Sequence, residues 1–319
     1  MVLLLGATGL LGRNVLEVLL ERKIPVRVLV RSSLDIDSVE VVHGDILNHE
    51  DLWNAARGCS AIINCAGTTD MSIPTPDGFY PVNRDLPWRL CRLSSELGIS
   101  VLIHTSTANT MVCGTREHPS DENAPFGPPY DRSPYAISKK AGEDILLEYA
   151  GKHPELRVVI VNPGFMLGAW DKKPSSGQLI LLGWRKPILF VTHGAKSFLH
   201  VRDAATAIVN ALSKGSGRYL LTGPCIRLKD FYKFQAKVCG YRQWCIQLPD
   251  WMARLLGKEG DFLLQLGIRS DLYEHNVRQL LFSEWYTSKK AQQELDYPAT
   301  PVEDAIRDFT DWWFNSRRQ

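Results

Sequence analysis

The chain has 319 residues, room for about two ordinary domains and ample to bury a core without disulfides or metal. Its composition, 45% hydrophobic and 23% charged with 24 Gly and 18 Pro, excludes disordered, collagen-like and coiled-coil classes. Lys and Arg number 37 against 35 Asp and Glu; the net charge of +2 speaks against a nucleic-acid binder and leaves open a single phosphate-bearing ligand.

Val2–Leu5 is a short apolar run ending at glycine, which suits a strand buried in a parallel sheet. Leu10–Glu21 follows with Leu11, Val15, Leu16, Val18 and Leu19 on one helical stripe. Val26–Val30 and Val39–Val42 read as strands, His49–Ala56 as a helix and Ala61–Asn64 as a fourth strand. Asn83–Leu97 reads as a helix, Val101–Thr105 as a strand, Pro134–Ala150 as a long helix and Arg157–Asn162 as a sixth strand. Strands alternating with helices of a dozen or so residues require right-handed crossovers, and so an α/β architecture with a doubly wound parallel sheet.

Beyond Asn162 the alternation loosens, turn residues cluster, and seven of the nine tryptophans fall at or after position 170. This shift predicts a smaller, mainly helical C-terminal substrate lobe over 166–319, beside a dinucleotide-binding domain over 1–165. Asp203–Leu212 and Arg218–Thr222 read as a helix and strand through which 197–222 rejoins the sheet. Seven scattered cysteines with no C-x-x-C fit reduced thiols and argue against zinc or any other metal. The start lacks a basic n-region, and no apolar run approaches the ~18 residues of a spanning helix. A soluble, cytoplasmic protein with a small-molecule substrate and neither nucleic acid nor membrane as partner is expected.

Gly6-Ala7-Thr8-Gly9-Leu10-Leu11-Gly12 joins the first strand to the first helix. Glycine is needed where backbone turns tightly or lies against a pyrophosphate, and the helix N-terminus adds free N–H groups and partial positive charge. About 20 residues on, an NAD site would place Asp or Glu at the end of the second strand; here Val28-Leu29-Val30 runs into Arg31-Ser32-Ser33. A guanidinium there pairs with a 2′-phosphate, so NADP(H) is preferred. NAD(H) remains the alternative, with Asp35 or Asp37 making the sugar contact.

Tyr135 and Lys139 stand one helical turn apart on one face. A phenol with its ordinary pKa near 10 is a poor acid or base at neutral pH, and a lysine at this spacing, helped by a nearby cofactor, is expected to lower it. Tyr286 and Lys290 repeat the spacing but lie in the late lobe and read as structural. At the end of the fifth strand, His104-Thr105-Ser106-Thr107-Ala108 offers a hydroxyl to polarise a carbonyl, with Ser106 and Thr107 both eligible.

Together these residues resemble the extended short-chain dehydrogenase/reductase family, the NAD(P)-dependent epimerase/dehydratase superfamily, whose sheet is of Rossmann type. The resemblance covers most of the chain. In that family Gly6, Thr8, Gly9, Leu10, Leu11 and Gly12 would form the phosphate turn, with Asp45 and Ile46 near the adenine. Cys65, Ala66 and Gly67, after Asn64, would line the adenosine, and Asn162, Pro163 and Gly164 would flank the nicotinamide. The alignment puts the catalytic hydroxyl at Thr107, beside Tyr135 and Lys139. Asp203, in a family-like His200-Val201-Arg202-Asp203 segment, reads as the cap of its own helix. Dehydratases of the family place Asp-Glu after the catalytic Thr, where this chain has Ala108-Asn109. That departure and Arg31 favour the dihydroflavonol 4-reductase-like branch: a NADP(H)-dependent oxidoreductase reducing a ketone or aldehyde of a hydrophobic small molecule, or oxidising the alcohol. Thr68–Phe79, Met111, Phe165, Met166 and Trp170 are the substrate-pocket candidates. A nucleotide-sugar epimerase or dehydratase with tightly bound NAD, and a non-catalytic NADP-binding sensor, are the rival readings. The resemblance also implies a homodimer through the 83–97 and 134–150 helices.

Overall fold

The computed structural model describes residues 1–32, 36, 38–265 and 279–316. In chain order β1 (Val2–Leu5), α1 (Leu10–Glu21), β2 (Val26–Val30), β3 (Glu40–His43), α2 (His49–Ala56), β4 (Ala61–Asn64), α3 (Leu86–Leu97), β5 (Val101–Thr105), α4 (Pro134–Lys152) and β6 (Arg157–Pro163) come first. They are followed by β7 (Phe165–Leu167), α5 (Gln178–Gly183), β8 (Ile188–Val191), β9 (Ala195–His200), α6 (Val201–Asn210) and β10 (Gly217–Leu221). The last described elements are β11 (Cys225–Arg227), α7 (Leu228–Val238), β12 (Trp244–Gln247), α8 (Asp250–Gln265), α9 (Lys289–Glu294) and α10 (Val302–Asn315).

Seven parallel strands form the main sheet in the order β10-β6-β5-β4-β1-β2-β3. The order reverses between β1 and β4, and in such sheets ligands bind at that switch, outside the carboxyl ends of the strands. Both faces are covered, which is why the strands read as continuous apolar runs. Val15, Leu16 and Leu19 of α1 join Ala204, Ala207 and Ile208 of α6 in the core on one face. Leu52, Leu90 and Leu146, from α2, α3 and α4, join the core on the other.

Strand β10 pairs with β6, Gly217 opposite Val159, and so returns the chain to the sheet after an excursion of more than fifty residues. The return is pinned by Arg157, whose guanidinium donates to the carbonyls of Ala211, Leu212, Lys214 and Gly215 at 2.6–2.9 Å. His200 caps α6 through its ring nitrogen on Arg202 N. Asp203, expected in that role, instead accepts from Thr300 N and Oγ1, because it already lies inside the first turn.

Three local differences from the sequence reading have physical causes. The third strand begins at Glu40, one residue late. The helix expected from Asn83 starts at Leu86, because Pro81–Asp85 forms a wider π-turn around a fully buried Asn83. The lobe is less helical than composition implied: β7, β9 and β11 form one small sheet, β8 and β12 another. Strands β7, β8, β11 and β12, of three or four residues, are too short to show a period between Gly and Pro. Tyr286 is not helical either; it bridges to Ser120 and donates to Met111 O at 3.2 Å, a structural use of its phenol. No helix among the described residues is long and apolar enough to cross a membrane.

Candidate active site

At the switch point the chain leaves β1 through Gly6, at φ +78°, a backbone region that favours glycine. A Cβ there would lie 2.6 Å from Ala66 N, and one on Gly12 would lie 2.1 Å from Gly6 O. Those two glycines are therefore fixed by backbone packing against the end of β4 and within the turn. Gly9 is different: its Cβ would meet only Gly6 O, at 3.5 Å, an ordinary contact. Gly9 is the N-cap of α1 and no side chain caps the helix, which leaves the first-turn N–H groups to an outside acceptor.

The turn is one wall of a hollow of about 400 Å³. Gly6, Thr8 and Gly9 line it with Arg31 at the end of β2, Asp45 and Ile46 after β3, and Cys65, Ala66 and Gly67 after β4. These sequence-predicted residues are thus brought together. Asp45 is fixed by accepting from Leu47 N at 2.9 Å, and Asn64 shapes the opposite wall by accepting from Ala66 N at 3.0 Å. The close-packed glycine turn, the uncapped helix end and the hollow beside Arg31 together fit a dinucleotide. Ser33, Asp35 and Asp37 lie outside the described residues.

At the far side of Gly67 the hydroxyl, phenol and ammonium converge. The Thr107 hydroxyl lies beside the Tyr135 phenol and Ser106 lies on the Glu143 side with its Oγ unpartnered, so the two hydroxyls that the sequence leaves equivalent are separated. Tyr135 is half-buried, its ring edge-on to Phe79 with centroids 6.0 Å apart. Burial pushes the phenol up to about 12, against the opposing effect of the Thr107 hydroxyl. Lys139 Nζ is tied to Thr105 O at 3.0 Å, and its own burial lowers it to about 8, partly offset by Glu143 and Cys65. A Cβ on Gly67 would lie 3.1 Å from that nitrogen, so this glycine keeps the ammonium open to the hollow.

Three polar residues lie behind this set: Asn83 and Glu143, given no functional role by the sequence, and His104, quoted there only as a neighbour of the hydroxyls. Asn83 accepts from Thr68 N at 2.9 Å and donates to Thr68 O and Ser138 Oγ at 3.0 Å each, clamping the loop after β4 to α4. Glu143, one turn beyond Lys139 and fully buried, accepts from Thr110 Oγ1 at 2.8 Å and from Asn162 Nδ2. Burial raises its carboxyl, offset by Ser106, Thr110, Arg218 and Asn162. His104 meets Asn64 Nδ2 at 3.0 Å, and burial holds its ring well below the usual range, hence neutral. Glu143 continues the Tyr135–Lys139 face by four residues, the one trace of it in the sequence.

Asn162 also donates to Thr107 O at 3.1 Å, which ties the turn through Pro163 and Gly164 to the reactive hydroxyl's own backbone. Of the substrate candidates, Phe165 and Met166 follow that turn on β7 and are half-buried. Met111 is fully buried in a small cluster with Ala108, Leu220 and Tyr286; it is a core residue with no face to offer a ligand. Trp170 packs away from the phenol, under the Arg13 guanidinium at 4.3 Å and 5.8 Å from Trp312, where it lines a separate hollow. Its amphipathic bulk suited either position, and the left-handed backbone at Trp170 turns it outward.

Residues 2–220 match the family model described as the NAD dependent epimerase/dehydratase family, and the chain belongs to that family. It is 26% identical, over 97% of its length and 93% of the relative's, to a Synechocystis sp. protein whose name gives it, by inference only, as a dihydroflavonol 4-reductase. It is also 26% identical, over 98% of its length and 97% of the relative's, to sterol demethylase protein B of Methylococcus capsulatus. Among solved structures, that of a protein called gox2253 superposes with a TM-score of 0.84 at 25% identity, covering 100% of this chain and 99% of that one. The protein is an NAD(P)-dependent oxidoreductase acting on CH–OH/C=O groups.

The glycine geometry separates two roles that a sequence motif joins. Gly12→Ala forces backbone apart and destabilises the fold by about 1–3 kcal/mol, seen as a lower melting temperature. Gly9→Ala melts like the wild type and loses affinity for the dinucleotide, measured by titration of cofactor fluorescence.

Proposed function

We propose that the protein is an NADP(H)-preferring carbonyl reductase, or alcohol dehydrogenase in reverse, for a hydrophobic ketone or aldehyde. The observation that carries this reading is the Thr107 hydroxyl beside the Tyr135 phenol, with Lys139 one helical turn away and held at the end of β5. Reduction adds a hydride to the carbonyl carbon and a proton to its oxygen. The nicotinamide, when bound, supplies or accepts the hydride.

Gly9 and the start of α1 hold the pyrophosphate, Arg31 the 2′-phosphate, and Asp45 and Ile46 the adenosine end. Lys139 donates to the ribose hydroxyls, and Asn162, Pro163 and Gly164 flank the nicotinamide ring. Thr107 donates to the carbonyl oxygen and so favours the charge that develops there. Tyr135 passes its proton to that oxygen. A phenol pushed up to about 12 is protonated at neutral pH, which suits the reductive direction. In the oxidative direction it must first give up that proton. The residues around Tyr135 are apolar: Phe79 sits edge-on to the phenol, and Phe165 and Met166 follow the turn through Gly164. The sterol-named relative supports a lipid-like carbonyl compound as the substrate class.

The dehydratase reading is less well supported, since the residue after Thr107 is Ala108 and Asn109 contributes its backbone N–H to Thr107 Oγ1. Neither position offers a carboxylate for eliminating water. A binding-only role leaves the Thr107–Tyr135 contact and the buried Lys139 without a use.

Tyr135→Phe keeps the ring against Phe79 and removes the proton, so kcat for ketone reduction with NADPH falls by about 10²- to 10⁴-fold while cofactor binding persists; undiminished turnover would overturn the mechanism. Arg31→Ser raises KM for NADPH by about tenfold or more and leaves that for NADH nearly unchanged, as loss of a charge-assisted phosphate contact requires. Lys139 is cationic below its lowered value of about 8 and neutral above it. The kcat/KM for reduction with NADPH therefore declines as pH rises through that value, read from a steady-state pH profile.

A further inference from the structure

Among the described residues, nothing packs over one apolar face of the lobe. Strands β8 and β12 run parallel, with Ile188 opposite Trp244 and Phe190 opposite Ile246. Their alternate residues Leu189, Val191 and Cys245 point inward to the lobe core, so these four point away from it. All four are exposed, Trp244 by 77% and Phe190 by 59%. The face continues into the first turns of α8. Leu248 N bonds Val191 O at 2.8 Å, and Asp250 pairs with His193 at 2.8 Å, so the helix start is seated at the end of β8. There Trp251, 67% exposed, and Leu255 lie one turn apart on one helix side. A protein has little reason to keep two tryptophans in water unless something covers them.

The charges around this face say what covers it. Among the described residues of segments 185–191 and 241–259, five exposed cations (Arg185, Lys186, Arg242, Arg254 and Lys258) stand against two acids, Asp250 and Glu259. Asp250 is already engaged by His193. A second copy docking patch to patch would bring these cations against their own equivalents. An anionic surface meets them favourably. Tryptophan rings with an apolar body and a polar edge, interleaved with long cationic side chains, are what the boundary between lipid headgroups and acyl chains accommodates. We propose that the β8–β12 face and the start of α8 dock this enzyme peripherally on a bilayer containing anionic lipid. The expectation of no membrane partner rested on the lack of a spanning segment; this surface is assembled from three separated stretches, none long enough to show as an apolar run. The proposal stands apart from the proposed reaction, though a bilayer is also where a lipid-like carbonyl compound resides.

The test is co-sedimentation of the full chain with vesicles of phosphatidylcholine alone or mixed with phosphatidylglycerol, at low and raised salt. The protein is expected to pellet with the mixed vesicles, less so as salt rises, with a blue shift of tryptophan emission. Trp244→Ser combined with Trp251→Ser lowers the partition coefficient by about tenfold or more. Arg185→Glu combined with Arg242→Glu abolishes the preference for the anionic vesicles. Circular dichroism and melting temperature, neither of which depends on the reaction, show that these surface variants fold. Wild-type protein left in the supernatant with both vesicle types overturns the proposal, as does a double serine variant that pellets like wild type. A dimer in solution that the serine changes dissolve, with no vesicle binding, overturns it too and assigns the face to contact between copies.

Discussion

Lys139 and Glu143, one turn apart on α4 and both buried, are the constraint on which the catalytic end of the sheet depends. Burying either alone would be costly, and each is made tolerable by what the sheet offers it. The lysine is held at the end of β5 through Thr105 O, the glutamate at the end of β6 through Asn162 and at the turn after β5 through Thr110. A helix that is polar where it should be greasy is thereby locked to two adjacent strand ends. Tyr135, on the same helix face, inherits its position from that lock, and Thr107 receives its own from Asn162. Precision at the reacting oxygen thus comes from groups that never touch it.

This arrangement explains why a phenol pushed upward in pKa is no defect. In the proposed reaction the phenol serves as the acid and the lysine as a nearby donor. Two ionisable groups moved in opposite directions by the same dry environment, one up and one down, make a coherent pair for giving a proton away.

Much of the fold was legible in the sequence because parallel strands and their crossover helices carry strong, unmixed patterns. The bounds of β1, α1, β2, α2, β4 and β5 follow directly from apolar runs and stripes. The Gly6–Gly12 turn was equally plain, since few arrangements need glycine at that spacing between a strand and a helix. What could not be read is what depends on distant partners. Ser106 and Thr107 differ only in which way the chain faces after β5. Asn83 matters because Thr68 happens to lie beside it. Met111 and Trp170 are large and adaptable, and nothing local says whether such a residue closes a core or walls a pocket. The small sheets of the lobe pair strands from either side of α6, a separation no periodicity reports.

The passage between sheet and lobe is made at two glycines, Gly164 after β6 and Gly223 after β10. Both are pressed on the backbone of β9: a Cβ on the first would lie 2.7 Å from Ser197 O, and on the second 1.8 Å from Phe198 O. Glycines at a domain junction are commonly taken for pivots, yet these sit in a vice and can turn very little. The lobe is consequently more buttress than jaw.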